Sequence, residues 1–362
     1  MGAATARTLG ARGVPTVLLE QFGAEHTRGS SHGATRIFRL AYPEPDYVRM
    51  AVAARQEWTR LAAESGETLL VPTGGLDAGP GAAQCARALA ACGVDFSWLD
   101  AGDVANRFPG VAARPGERML FQAGAGVLLA GRAVAAMRRL AQRDGVSVRD
   151  HTPVLGLEPQ PAGVLVHTAA GDITARVAVV TAGGWAGTLL AGVVTQLPGL
   201  TVTLQRIRYF AARPGTGAWP TLIEWNGDST QWYTVPAEGG APGVKVASHR
   251  PGSVVDPAAG PFGGTDPEQE DEAARYVRER LPGLVPTGLA AETCLYTSTA
   301  DEDFVVGREG PVVVGAGGSG HAFKFGPLLG EMLADLAQGR DPRFPRDRFA
   351  LTRPALARPP AR

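Results

Sequence analysis

Three glycine-bearing clusters and two isolated lysines carry most of the chemistry legible in this chain. The apolar run Val312–Val314 leads into Gly315-Ala316-Gly317-Gly318-Ser319-Gly320, and a helical stretch from Phe325 to Gln338 follows. Glycines let backbone N–H groups close on an anion, and the start of a helix favours negative charge there. The loop is therefore either a cofactor cradle or a plain tight connection between strand and helix. Thr181-Ala182-Gly183-Gly184-Trp185, after another apolar run, is a turn of the same kind. The third cluster, Gly29 to Arg39, sets Arg36 and Arg39 three apart. On a helical turn they would share one side, and arginine suits two-point binding of a carboxylate. A solvated basic face is the plain alternative.

Of the 35 lysine plus arginine residues, all but Lys245 and Lys324 are arginines. Codon bias towards arginine accounts for the skew, but it singles out the two positions that remain lysine. An ammonium is a compact point charge where a guanidinium is a planar fork. Cys85, Cys92 and Cys294 form no paired spacing, which argues against a disulfide framework and suits a reducing compartment. Cys85 and Cys92, in an alanine-rich helical stretch, have the character of small core residues. No CxxC, HExxH or calcium-loop pattern occurs, so no metal site is expected. The formal net charge is zero, which favours neither nucleic acid nor an acidic membrane as partner. Glycine and proline are abundant, yet 44% hydrophobic residues exclude disorder as the reason.

The elements that must position these residues alternate between helix and strand. Gly2–Arg12 has a helical composition, Gly13 stops it, and Val14–Leu19 is a strand ending at Glu20. In a dinucleotide-binding unit an acid at that place takes ribose hydroxyls, and Gly2 falls where the third glycine of a GxGxxG turn belongs. The first strand and first two glycines of such a unit do not occur, and the expectation is a start codon assigned too late. Helices are expected at Glu44–Glu67, Ala82–Ala91, Arg132–Arg143 and Asp266–Leu281. Val154–Glu158, Gly163–Thr168 and Ile173–Ala175 have the spacing of a meander, and Leu200–His249 is strand-like. Val177–Val194 approaches membrane-spanning length. Gly183-Gly184 and Trp185 break it, so strand, turn and helix are expected there. The N-terminus lacks the apolar core of a signal peptide, and a soluble cytoplasmic protein is expected.

The runs SSHGATRIFR (Ser30–Arg39), CLYTSTADEDF (Cys294–Phe304), GSGHAFKF (Gly318–Phe325) and RPAL (Arg353–Leu356) together resemble the monomeric sarcosine oxidase family. That family includes N-methyltryptophan and pipecolate oxidases, within the wider glycine and D-amino-acid oxidase group, and the likeness runs from Gly2 to Leu356. It implies an α/β fold, with a Rossmann-like FAD-binding domain interleaved with an α+β substrate domain on a mixed sheet. The FAD-binding segments would be residues 1–70, 131–198 and 290–350, and the substrate segments 71–130 and 199–289. The implied reaction oxidises a secondary, N-methyl or cyclic amino acid to an imine, then to aldehyde and amine, with O2 reduced to H2O2. A monomer is implied.

The resemblance also implies roles. Cys294 matches the cysteine that forms a thioether to the flavin. Arg39 and Lys324 match residues that clamp the substrate carboxylate, and Lys245 the lysine that promotes reaction with oxygen. Tyr233 and His249 match polar residues of the substrate cavity. Flavin contacts are implied at Gly2, Glu20, Ser31, His32, Thr35, Arg36, Val154, Ala182, Gly183, Trp185, Gly317, Gly318, Gly320 and His321. Ser31 and Ala34 stand where sarcosine enzymes often carry His and Asp. Two alternatives stay open. One is a flavin dehydrogenase or tailoring oxidase of a larger secondary-metabolite amine, for which Trp225 and Trp232 would suit a bulky ligand, although core packing is their commoner use. The other is a flavin-free, non-catalytic chain.

Overall fold

A computed structural model describes residues 1–226, 229–263, 265–344 and 347–353. Pro354, Ala355 and Leu356 of the RPAL run lie outside the described residues. The α/β fold expected from the sequence is present, built on two kinds of sheet.

The first kind is parallel and flanked by helices. Val17–Leu19 pairs in parallel with Ser147–Arg149, and Ala178–Val180 with Val312–Ala316, which also pairs antiparallel with Val305–Glu309. Helices Gly2–Ala11, Ala130–Arg143 and Gly326–Ala337 pack together beside them. Gly330 lets two of these helices meet: a Cβ there would sit 2.6 Å from that of Ala4. Val17–Leu19, Ala178 and Val179 are only partly buried, whereas strands of a parallel sheet are usually covered on both faces. The N-terminal end of the first helix lies between them, with Gly2 against Thr181 and Leu18. Val154–Gln160, Gly163–Thr168 and Ile173–Ala175 form the expected antiparallel meander. No helix among the described residues is long and apolar enough to cross a membrane.

The second kind is an eight-stranded mixed sheet. Its order is Leu284–Ser298, Thr201–Ala212, Val244–Ser248, Ser229–Val235, Thr221–Asn226, Gly75–Ala78, Met119–Gln122 and Ser97–Leu99. Every pairing is antiparallel except that of Gly75–Ala78 with Thr221–Asn226. Helix Pro267–Arg280, capped by the side chain of Asp266, covers this sheet, and Tyr276 stacks on Trp232 at 4.5 Å. Trp232 therefore serves core packing.

The Arg36–Arg39 segment departs from the helical turn considered above. Thr35–Phe38 is a strand, paired antiparallel with Gly126–Leu129, as its β-branched and aromatic residues favour. Residues three apart on a strand face opposite sides, so Arg36 and Arg39 leave the backbone in different directions.

Candidate active site

A cavity of about 1800 Å3 opens between the parallel strands, the glycine loops and the large sheet. Of the site residues implied by the resemblance, all line it except His32. His32 packs behind the wall, its Nε2 3.0 Å from the carbonyl oxygen of Thr293 and its Nδ1 buried without a partner.

At one end lie two buried cations. Arg39 follows directly after its strand, where the side chain of Gln122 accepts the backbone N–H groups of Leu40 and Ala41 and fixes the chain. Its guanidinium carbon lies over the Tyr42 ring, at 4.4 Å, and the Trp225 ring, at 4.8 Å, and its Nη1 makes no hydrogen bond. Lys324 sits in the short 3-10 turn Phe323–Phe325, anchored by the Trp58 indole, which donates to its carbonyl at 2.7 Å. Lys324 Nζ donates to the carbonyl of His321 at 2.9 Å. Burial holds the Lys324 ammonium well below its ordinary pKa, and the Arg39 charge adds to that. Two cations drawn out of water this way are costly unless an anion joins them.

Deeper in, Lys245 projects from Val244–Ser248. Its Nζ donates to the Thr35 carbonyl at 3.2 Å and lies 5.5 Å from the Tyr209 ring. Burial, and then the Arg36 charge, lower its pKa to about 7. Arg36 turns back on its own segment, donating to the carbonyls of Thr35, Ser30 and His32. Cys294 occupies the long strand Leu284–Ser298, opposite Gln205. Burial pushes its thiol pKa up, while Arg36 and Lys245 pull it down.

Between the cation pair and Cys294 stand three aromatic groups. His249 Nδ1 is 3.3 Å from the Tyr296 hydroxyl, and the Tyr233 ring lies 6.4 Å from that of His249. Burial, then Arg39 and Lys324, drop the His249 pKa to about 4, so the imidazole is neutral at neutral pH. Burial raises that of Tyr233 to about 12. Tyr42 and Tyr296 were not assigned to the site from the sequence, and Trp225, considered there for a bulky ligand, does line the cavity. Tyr296 lay within one of the runs that carried the resemblance, but a core tyrosine and a cavity tyrosine look alike in sequence.

The glycine loop closes the site. Gly317 and Gly320 have φ of 60° and 74°, in the left-handed region that favours glycine. A Cβ at Gly320 would run into the Tyr296 ring, and Ser319 donates its N–H to the Thr297 carbonyl at 3.0 Å. The hydroxyls of Thr35 and Thr297 are buried at the cavity wall without partners. Glu20 accepts the N–H of Phe22 at 2.9 Å and also lines the cavity.

The family model described as FAD dependent oxidoreductase (DAO) matches residues 1–336. The chain belongs to that family. It is 31% identical to the monomeric sarcosine oxidase of Arthrobacter sp. (strain TE1826), over 98% of this chain and 94% of that protein. It is 35% identical to the monomeric sarcosine oxidase of Streptomyces avermitilis, covering 93% and 91%. The N-methyl-L-tryptophan oxidase of Salmonella agona is 30% identical, covering 98% and 96%. Among solved structures, the open form of NikD, an unusual amino acid oxidase essential for nikkomycin biosynthesis, superimposes with a TM-score of 0.85. That match is 26% identical and covers 96% of this chain and 94% of that one.

This FAD-dependent oxidoreductase is therefore an amine-oxidising enzyme, and its residues fit the cofactor. The positive-φ glycine loop, the partnerless hydroxyls of Thr35 and Thr297 and the cations Arg36 and Lys245 offer backbone, hydrogen-bonding and charge partners along one cavity.

Proposed function

We propose that this enzyme is an oxidase of a secondary amino acid, N-methyl or cyclic, releasing an imine and H2O2. The buried pair Arg39 and Lys324 carries the proposal, because it leaves cationic donors at a cavity wall where a carboxylate would complete them. FAD, when bound, would supply the acceptor for a hydride from the amine-bearing carbon. The protein's part is placement: Arg39 and Lys324 hold the carboxylate, and the neutral His249 with Tyr233 and Tyr296 lines the space beside it. Such fixing of the reacting carbon supplies a large share of the rate.

In the same proposal Cys294 carries the cofactor as a thioether, and Lys245 places a compact positive charge where oxygen is reduced. The FAD-binding segments are residues 1–70, 131–198 and 290–350, with the substrate held against 71–130 and 199–289, and the enzyme works as a cytoplasmic monomer. Peroxide release from sarcosine, N-methyltryptophan and pipecolate tests the reading. Turnover of any one supports it and ranks the size of the side chain, and peroxide from none would reject it. Trp225, which shares the cavity wall with Arg39, favours a bulkier amine as the second reading. Turnover of a larger amine, with peroxide from none of the three amino acids, would select it.

A further inference from the structure

Behind Arg39 stands an acid that the reaction above does not use. Asp77 occupies the short strand Gly75–Ala78, opposite Ile223 on one side and Leu120 on the other, and is 2% exposed. It is the single charged residue of an otherwise apolar strand. Its Oδ1 accepts the indole N–H of Trp225 at 2.8 Å. The same oxygen lies 3.6 Å from Arg39 Nη1, close enough for an ion pair and too far for a hydrogen bond. Asp77 does not line the cavity. Arg39 thus has two aromatic rings within 5 Å of its guanidinium carbon, a carboxylate nearby and an Nη1 without a hydrogen-bond acceptor.

We propose that Asp77 sets the enzyme's affinity for carboxylate substrates by competing for the charge of Arg39 from behind. The inference rests on the reading of Arg39 as a carboxylate clamp. A substrate acid arriving at Arg39 brings a second negative charge towards a guanidinium already partly neutralised, in a poorly screened interior. Binding is then weakest when Asp77 is ionised and strengthens when it takes a proton. Asp77 touches no substrate atom in this scheme and acts through Arg39, as a positioning residue. Trp225 links the two, since one indole both donates to Asp77 and stacks on the guanidinium.

The surrounding groups limit what else can titrate with it. Burial raises Asp77 to about 6, against the pull of Arg39 and of the Trp225 hydrogen bond. Cys85, on the helix Ala82–Ala91, and Tyr42 both feel Asp77, and burial pushes both above their ordinary values, so they stay neutral. Glu44, at the N-terminal cap of the helix Pro45–Ser65, acts on the same two groups. His249, lowered to about 4, and His321, lowered well below its usual value, are neutral near pH 6. Lys324 remains, and its protonation would also favour an acid as the pH falls. The pH response alone therefore does not separate Lys324 from Asp77; substitution does.

The test uses the flavin-loaded enzyme titrated with acetate between pH 5 and 8, followed by the perturbation of the flavin absorbance. Asp77→Asn keeps an oxygen for the Trp225 indole and removes the charge. It is expected to bind acetate at least about fivefold more tightly at pH 8 and to lose most of the tightening that the parent shows on acidification. An unchanged Kd with an unchanged pH profile would overturn the proposal. Trp225→Phe is the second variant. It deletes the hydrogen bond that holds Asp77 down, so the midpoint of the binding profile should move to higher pH, and an unmoved midpoint also counts against the proposal. Acetate that fails to bind the parent in competition with substrate would instead reject Arg39 as the clamp, and the role of Asp77 would fall with it.

Discussion

The ammonium of Lys245 donates to the backbone carbonyl of Thr35 at 3.2 Å, tying the large sheet to the first residue of the strand that leads to Arg39. One bond thus joins the cation proposed to meet oxygen to the segment that carries the proposed carboxylate clamp. The tie fixes the charge without neutralising it, as a carbonyl accepts a proton's partial charge and an acid would cancel it.

Lys245→Met is expected to separate the two halves of catalysis. Reduction of the enzyme by substrate without oxygen should be nearly unchanged, while reaction of the reduced enzyme with O2 slows by on the order of 10²-fold. Rapid-mixing measurements of each half-reaction check this. Slow reduction with normal reoxidation would assign Lys245 to the wrong step. The pH dependence has a definite sign. With its pKa lowered to about 7, the ammonium is present below that pH and lost as the pH rises through it. Oxygen reactivity should therefore decline on the alkaline side, with its midpoint at or above 7, since an anion held beside the lysine moves that midpoint upward.

Arg39→Lys should behave almost as poorly as Arg39→Ala. The stack between Tyr42 and Trp225 holds a flat guanidinium, and a lysine ammonium offers neither the plane nor the fork. Loss of a buried hydrogen-bonded charge contact costs about 2–5 kcal/mol, so KM for an acid substrate is expected to rise by about 30-fold or more. Steady-state kinetics decide it, and an unchanged KM in either variant would remove Arg39 from the clamp.

Cys294→Ala tests the covalent link apart from the fold. The side chain is small and buried, and the neighbouring pairs of its strand do not depend on it. The variant should remain folded and yellow, but acid precipitation should leave its flavin in the supernatant, whereas the parent pellet keeps its colour. Pigment released equally from both would show that the flavin is held without a thioether.

Helix boundaries were the most legible part of this fold in the sequence. Gly13 and Gly145 end helices with positive φ, and alanine-rich Ala82–Ala91 is a helix with those same bounds. Arg36 and Arg39 were harder, because a spacing of three is compatible with either element until pairing with Gly126–Leu129 decides for a strand. The strand that presents Cys294 was not marked out at all. Leu284–Ser298 contains Pro286, Gly288 and a polar stretch, and it holds together through its long pairing with Thr201–Ala212. Asp77, a lone acid between Leu76 and Ala78 after two glycines, was not singled out from the sequence. Its relation to Arg39 depends on strands distant in sequence, and no local pattern encodes that.

Gly320→Ala probes the seam between the glycine loop and the cavity wall. The residue has φ of 74°, and a methyl group there meets the Tyr296 ring, so both backbone and packing oppose the change. Strain of this kind costs about 1–3 kcal/mol. The loop's other attachment, Ser319 N–H to the Thr297 carbonyl, lies on the strand that bears Cys294 and Tyr296. Displacing the loop should therefore disturb Tyr296 and its contact with His249 along with the backbone that faces the cofactor. A lower melting temperature with reduced flavin content is expected, and Gly310→Ala serves as the control. Gly310 also has positive φ, of 56°, but a Cβ there meets nothing within 4 Å. That variant should lose some stability through the backbone alone and keep its flavin. Equal flavin loss in both would mean that the contact with Tyr296 has no part in holding the cofactor.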